Sequence, residues 1–228
     1  MCFSAEASFA AAAVLLPAGA VAMHRAYERK RQYLPLATLP LLFGLQQLFE
    51  GLVWTAGHAG NQRAVETFSL AYMFFSWLAW PIWVPFSTYF IEPCRRRSIY
   101  LGFAIFGAMM GALQYVPYFA HKEWLVTHFY DYAISYQGTV LLDFLMPREL
   151  SYPLYLFAII APLITSSIKN ARIFGALIIF VVVTVYAFFS YAYVSAFCFG
   201  GAVMSGFIIW MVFRETDGKR ENEVAQIA

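Results

Sequence analysis

Charge is what this chain lacks most: only 12% of its 228 residues are Asp, Glu, Lys or Arg, where a soluble domain carries about 25%. With 61% hydrophobic and 19% aromatic residues, that scarcity excludes a water-soluble fold and marks a membrane chain. Lysine is confined to Lys30, Lys122, Lys169 and Lys219, all in loops or tail, which excludes a retinal Schiff base and hence a rhodopsin. Histidine is confined to His24, His58, His121 and His128. None falls clearly inside an apolar run, so a bis-histidine haem site and a helix-borne zinc hydrolase site are excluded as well. The chain also has no His-x-x-x-His or Cys-x-x-Cys motif, no low-complexity linker, and no internal repeat of the kind many transporters show.

Apolar runs are what it has instead. Stretches near the length of about 20 residues that crosses a hydrocarbon core recur at Ser4 to Met23, Leu34 to Ala56, Phe68 to Ile91, Ile99 to Tyr118, Tyr152 to Ile168, Ile173 to Tyr193 and Phe197 to Phe213. The expected fold is all-α, an integral membrane bundle of seven transmembrane helices forming one domain over residues 1–213, with a cytoplasmic tail over 214–228. The first run has no basic region before it, so it reads as helix one and not as a cleaved signal.

Orientation follows from the basic residues, because cytoplasmic loops retain Lys and Arg. Of the 15 Lys and Arg, only Arg63, Lys122 and Arg148 fall in one set of loops, and the others, from Arg25 to Arg220, fall in the alternate set. That predicts an N-terminus outside and a C-terminus inside, in the inner membrane of a bacterium. The net charge of +2 is then a topological signal. The lipid bilayer is the expected partner, nucleic acid is not, a small molecule or metal ion is a candidate ligand, and oligomeric state is unmarked.

One connection is long. Residues 119–150, between the fourth and fifth runs, are too polar to span and rich in aromatic side chains suited to the headgroup level, which predicts an outer interfacial lid. Tyr130, Tyr132, Ile134 and Tyr136 alternate with period two, yet the favoured reading is a short helix over Trp124 to Asp131 followed by irregular chain. Small residues in the first and last helices predict close packing. Pro81 and Pro85 predict a kink in the third, with neighbours satisfying the freed carbonyls.

The chemistry centres on Glu50, because an ionisable group at membrane depth is costly unless paired, hydrated or bound. Phe43, Gln46, Gln47, Glu50 and Trp54 share one helical face at three- and four-residue spacings, in the outer third of the bilayer. Gln46, Gln47, Trp54 and Tyr130 are the candidate substrate-binding residues. Glu50, Cys2 and His128 are the candidate catalytic ones. The topology also sets Cys2, Glu6, His58, His121, His128, Asp131 and Cys198 on the outer side, whereas His24 and Cys94 are inner loop residues. Cysteine, histidine and carboxylate together suit zinc or copper, with Cys2, Glu50, His128 and Cys198 as the ligand set. Removal of Met1 would leave Cys2 carrying a free amine and a thiol; the alternative is a disulfide to Cys198, which an oxidising periplasm permits.

The opening MCFSAEASF, the block LPLLFGLQQLFEGLVW, the block YPLYLFAIIAPLITSSIKNARIFGAL and the late SAFCFGGAVMS resemble an uncharacterised family of bacterial multi-span membrane proteins that begin Met-Cys-Phe-Ser-Ala. The resemblance covers most of the chain, more weakly at His128-Phe-Tyr130. It implies the same architecture and points to Cys2, Gln47, Glu50, Trp54 and Cys198, without supplying a substrate. Three readings stay open: a metal-binding or thiol-based membrane enzyme, a small transporter or proton-coupled carrier using Glu50, and a sensor or accessory subunit whose polar cluster is structural.

Overall fold

Ser4 starts the first helix by accepting a bond from the Ala7 N–H at 3.3 Å, the side-chain cap that an N-terminus favours. In the computed structural model, residues 4–139, 141–188 and 192–227 are described, with side chains as far as Thr216 and without that of Lys122. Helix α1 runs over Ala5–Arg29, followed by α2 (Leu34–Ala37), α3 (Leu39–His58), α4 (Gln62–Met73), α5 (Trp80–Ile91) and α6 (Arg97–Tyr115). The strands β1 (Leu125–Tyr130) and β2 (Ala133–Gly138) come next, then α7 (Arg148–Ile164), α8 (Lys169–Phe188) and α9 (Tyr193–Ile227).

Among the described residues, six segments are long and apolar enough to cross a membrane: Ala5–Arg29, Arg31–His58, Gln62–Ile91, Cys94–Phe119, Lys169–Phe188 and Tyr193–Thr216. The fifth expected span is α7, which at 17 residues sits at the lower limit for a crossing. The charged tail continues α9 as helix to Ile227.

Close backbone approach builds the bundle. Helices α1 and α3 run antiparallel, and a Cβ at Gly19, Gly44 or Gly51 would meet Leu41, Leu16 or Phe9 within 2.6 to 3.1 Å. The turn from α3 to α4 uses the single positive-φ residue among those described, Gly60 at 64°. There the Asn61 N–H reaches Ala56 O and the Gly60 N–H reaches Gly57 O, both at 3.0 Å, the paired closure that a left-handed glycine permits.

The third apolar run is interrupted, but ahead of the prolines at which a kink was expected. Between α4 and α5 the chain forms a π-helical segment, Phe74–Ala79. Pro81 and Pro85 have no N–H to give to Trp77 O and Pro81 O, the carbonyls four residues back. Those two oxygens are where α6 closes in: a Cβ on Gly111 would lie 2.7 Å from Trp77 O, and one on Gly107 only 1.8 Å from Pro81 O.

The lid differs from the favoured reading. It is an antiparallel hairpin pairing Leu125 with Gly138 through to Tyr130 with Ala133, because the period-two pattern prevails over the helical one. Leu125, Thr127 and Phe129 face the bundle, Val126, His128 and Tyr130 face away, and Ala133 to Tyr136 are buried. Thr127 bonds Ser69 at 2.8 Å, Tyr136 stacks on Tyr72 at 4.7 Å, and a Cβ at Gly57 would strike the Phe129 ring at 2.4 Å. The hairpin is therefore seated into one end of the bundle.

At the opposite end the buried Glu92 carboxylate accepts from the Ser167 N–H at 2.8 Å, from Ser167 Oγ at 2.7 Å and from Ser166 Oγ. Arg96 and Tyr100 hold Thr165 O at 2.9 and 3.0 Å. Glu215 takes Asn170 at 3.0 Å and Lys30 at 3.7 Å. The helix ends rich in Arg and Lys gather here.

Candidate functional site

A polar seam joins α3 to α9. Gln46 and Glu50 are four residues apart on α3, Ser195 and Cys198 three apart on α9, so each pair shares a helix face. The helices are antiparallel, which sets Glu50 against Ser195 and Gln46 against Cys198, with Phe43 against Gly201 below. Ser195 donates to Glu50 Oε1 at 2.6 Å and Gln47 to Oε2 at 3.3 Å. Gln46 Nε2 donates to Ser76 Oγ at 2.8 Å and to Cys198 Sγ at 3.1 Å, and its Oε1 accepts from the Trp80 indole at 3.1 Å. Ser76 Oγ and Cys198 Sγ are 3.3 Å apart. Gln46, Gln47 and Glu50 are fully buried, so each bond acts in a low-dielectric setting where an unmet polar group is costly.

The π-helical segment feeds this seam. It turns Ser76 toward Gln46 and Cys198, and the Tyr155 hydroxyl donates to the freed Ser76 carbonyl. Irregular backbone at membrane depth is tolerated where protein or a cavity covers it, and single π turns are frequent at functional sites.

A cavity of about 310 Å³ lies between the hairpin and α6, α7 and α9, lined by Trp77, Gln114, Ser135, Tyr136, Gln137, Gly138, Asp143, Arg148, Ser151, Tyr152, Ala192, Tyr193 and Val194. A narrow extension of about 20 Å³ shares Trp77, Gln114, Tyr152, Tyr193 and Val194 with it and ends at Ser76, Tyr155, Phe197 and Cys198. Arg148, whose side chain is 49% exposed, lines the larger space and the thiol the smaller one. Arg148 forms a two-point pair with Asp143, at 2.8 and 2.6 Å, and donates to Gly138 O at 2.7 Å.

Of the residues singled out in the sequence, Gln46, Gln47, Glu50 and Cys198 meet as described. Trp54 is buried against Phe129 of the hairpin and against His58, each with ring centroids 5.8 Å apart. His128 does not join them: strand alternation turns it outward, exposed on the hairpin, and Tyr130 is exposed near its tip. His121 stacks on Trp124 at 4.4 Å. Cys2, and with it the disulfide alternative, lies outside the described residues; Cys198 is a free, buried thiol hydrogen-bonded with Gln46 and Ser76. Among the described residues no three His, Cys, Asp or Glu side chains gather where a metal ion could be held. Of the expected zinc or copper set, Glu50 and Cys198 lie in the buried seam and His128 on the outward side of the strand, and Cys2 is outside the described residues.

Ser76, Trp80, Gln114, Asp143, Arg148 and Ser195 belong to the site and were not among the expected residues. Arg148 did carry a signal, as one of three cations against the positive-inside distribution. The serines and Gln114 carry none in a linear pattern.

A family model describing a family of unknown function matches residues 1–223. No curated protein matches the chain, and no solved structure does.

Proposed function

The chain belongs to DUF6629, a family of unknown function, and from that premise we propose a carrier: a seven-span inner-membrane protein that takes a small polar molecule from the outer side, coupled to protonation of Glu50. The observation that carries this reading is a hairpin-side cavity that shares five lining residues with a small pocket reaching Ser76 of the π-helical segment and Cys198, whose thiol accepts from the Gln46 amide. Discontinuous helices near mid-depth are where carriers bind their substrates. The basic end of the bundle is held together by the Glu92 and Glu215 contacts, and the cavity lies at the other end, under the hairpin.

Orientation is proposed from the same asymmetry. The hairpin end is outer and the basic end inner, with α7 as the short fifth crossing, tilted little because 17 residues barely span the core. A metal-centred enzyme finds less support, since its ligands do not gather among the described residues.

Reconstitution into liposomes loaded with a pH-sensitive dye tests the proposal. Amino acids, betaines and sugars are supplied on the hairpin side. At least one is expected to enter with lumenal acidification, and Glu50→Gln is expected to abolish both. Uptake that survives Glu50→Gln with protons still moving sinks the coupling, and no uptake of any solute sinks the carrier. The 2.6 Å bond from Ser195 favours a second reading, in which Glu50 only fastens α3 to α9. It predicts that Glu50→Gln lowers stability and leaves flux intact.

A further inference from the structure

We infer that the ligand of this cavity is a small zwitterion, its anionic end on Arg148 and its cationic end toward Gln114 and the aromatic walls. The inference rests on the cavity being a binding site, as proposed above, and adds the chemical class.

Three features select that class. First, Arg148 has donors to spare. A guanidinium carries five N–H groups; Nε is taken by Asp143 Oδ1, and Nη2 by Asp143 Oδ2 and Gly138 O. The two N–H groups of Nη1 are left for an acceptor, and a carboxylate accepts them with the strength of a charge-assisted bond. Second, Gln114 is 5% exposed, its Oε1 has no hydrogen-bond partner among the described residues, and it lines both the cavity and the extension. A buried acceptor without a partner is costly, and an ammonium or a polarised N–CH group answers it. Third, Asp143 and Arg148 are the charged residues of the lining and they cancel. A ligand of single charge would bring an uncompensated ion into a partly desolvated site, whereas a zwitterion brings none. Trp77, Tyr136, Tyr152 and Tyr193 surround that space, and ring faces attract a cation.

Binding to the purified full-length protein in lipid nanodiscs tests this, with glycine, L-serine and glycine betaine as probes and glycinamide, propionate and glycerol as their cationic, anionic and uncharged counterparts. At least one zwitterion is expected to bind about tenfold or more tightly than every counterpart, the effect of one bond to a charged group. Arg148→Lys, which keeps the charge beside Asp143 but loses the fork, and Gln114→Ala are each expected to weaken the zwitterion by about tenfold; Arg148→Lys should weaken propionate but not glycinamide, Gln114→Ala glycinamide but not propionate, and neither should change glycerol. The comparison of probes on the unsubstituted protein needs no variant to fold. Counterparts binding as well as zwitterions, glycerol binding best, or no zwitterion binding at all would overturn the assignment. Glutamate-dependent uptake of a sugar would overturn it and leave the carrier standing; tight zwitterion binding without flux would do the reverse.

Discussion

Replacing Gln46 by Leu tests the seam where it is most connected. The substitution keeps size but deletes three contacts: the bonds to Ser76 at 2.8 Å and Cys198 at 3.1 Å, and the acceptor for the Trp80 indole at 3.1 Å. Ser76 and Cys198 retain each other at 3.3 Å, so their loss is partial. Trp80, 2% exposed and stacked on Phe43 at 4.0 Å, keeps its N–H where no water arrives. An orphaned buried donor costs about 1–3 kcal/mol, and interhelical bonds in membranes average about 0.6 kcal/mol. The expected loss is therefore about 2 kcal/mol, read by equilibrium unfolding with SDS in mixed micelles. Trp80→Phe removes the orphan, so Gln46→Leu combined with Trp80→Phe should cost about 1 kcal/mol less than the two changes added. Additivity within about 0.3 kcal/mol, or a Gln46→Leu protein at least as stable as the parent, would show that the seam contributes no net hydrogen-bond energy.

Gly107→Ala sets a Cβ 1.8 Å from Pro81 O, whereas a Cβ at Gly102 meets nothing within 4 Å; thermal unfolding in detergent should show the first less stable by about 1–3 kcal/mol and the second unchanged or slightly more stable, and equal effects would contradict the α5 and α6 approach. In a Cys2→Ala background, maleimide should label the exposed Cys94 in the native protein and reach the buried Cys198 only after SDS denaturation, by intact mass; native double labelling would mean that the seam is open. Tyr132, 68% exposed at the hairpin tip, changed to Cys should react with an impermeant thiol reagent from the opposite side of the membrane to Cys94, and labelling of both from one side would refute the proposed orientation. Gly57→Leu should unseat Phe129, whose ring lies 2.4 Å from the added Cβ, and protease sensitivity of residues 125–138 should rise while α3 stays helical.

The α3 face of the seam is legible in the sequence. Glu50, Gln46 and Gln47 stand out because polar groups in an apolar run are rare and helical spacing places them on one face. Cys198 stands out only as a rare residue type. Its partners Ser76 and Gln46 lie 122 and 152 residues away in sequence, and no local pattern records such a contact. The lid shows the opposite case: its period-two aromatics were visible, but helix and strand were both compatible with so short a segment, and only packing against Tyr72, Ser69 and Gly57 selects the hairpin.

The sequence by itself determined that this is a membrane bundle, where its apolar runs lie, and which of its helix faces holds a carboxylate, because hydrophobic length and helical period are local properties. Tertiary structure alone decided that Gln46 meets Cys198, that His128 points away, and that Gln114 and Arg148 line one cavity. These are matters of helix pairing and strand facing, set by which backbones can approach each other. In this chain that approach is governed by glycines at the α1–α3, α5–α6 and α3–α9 seams.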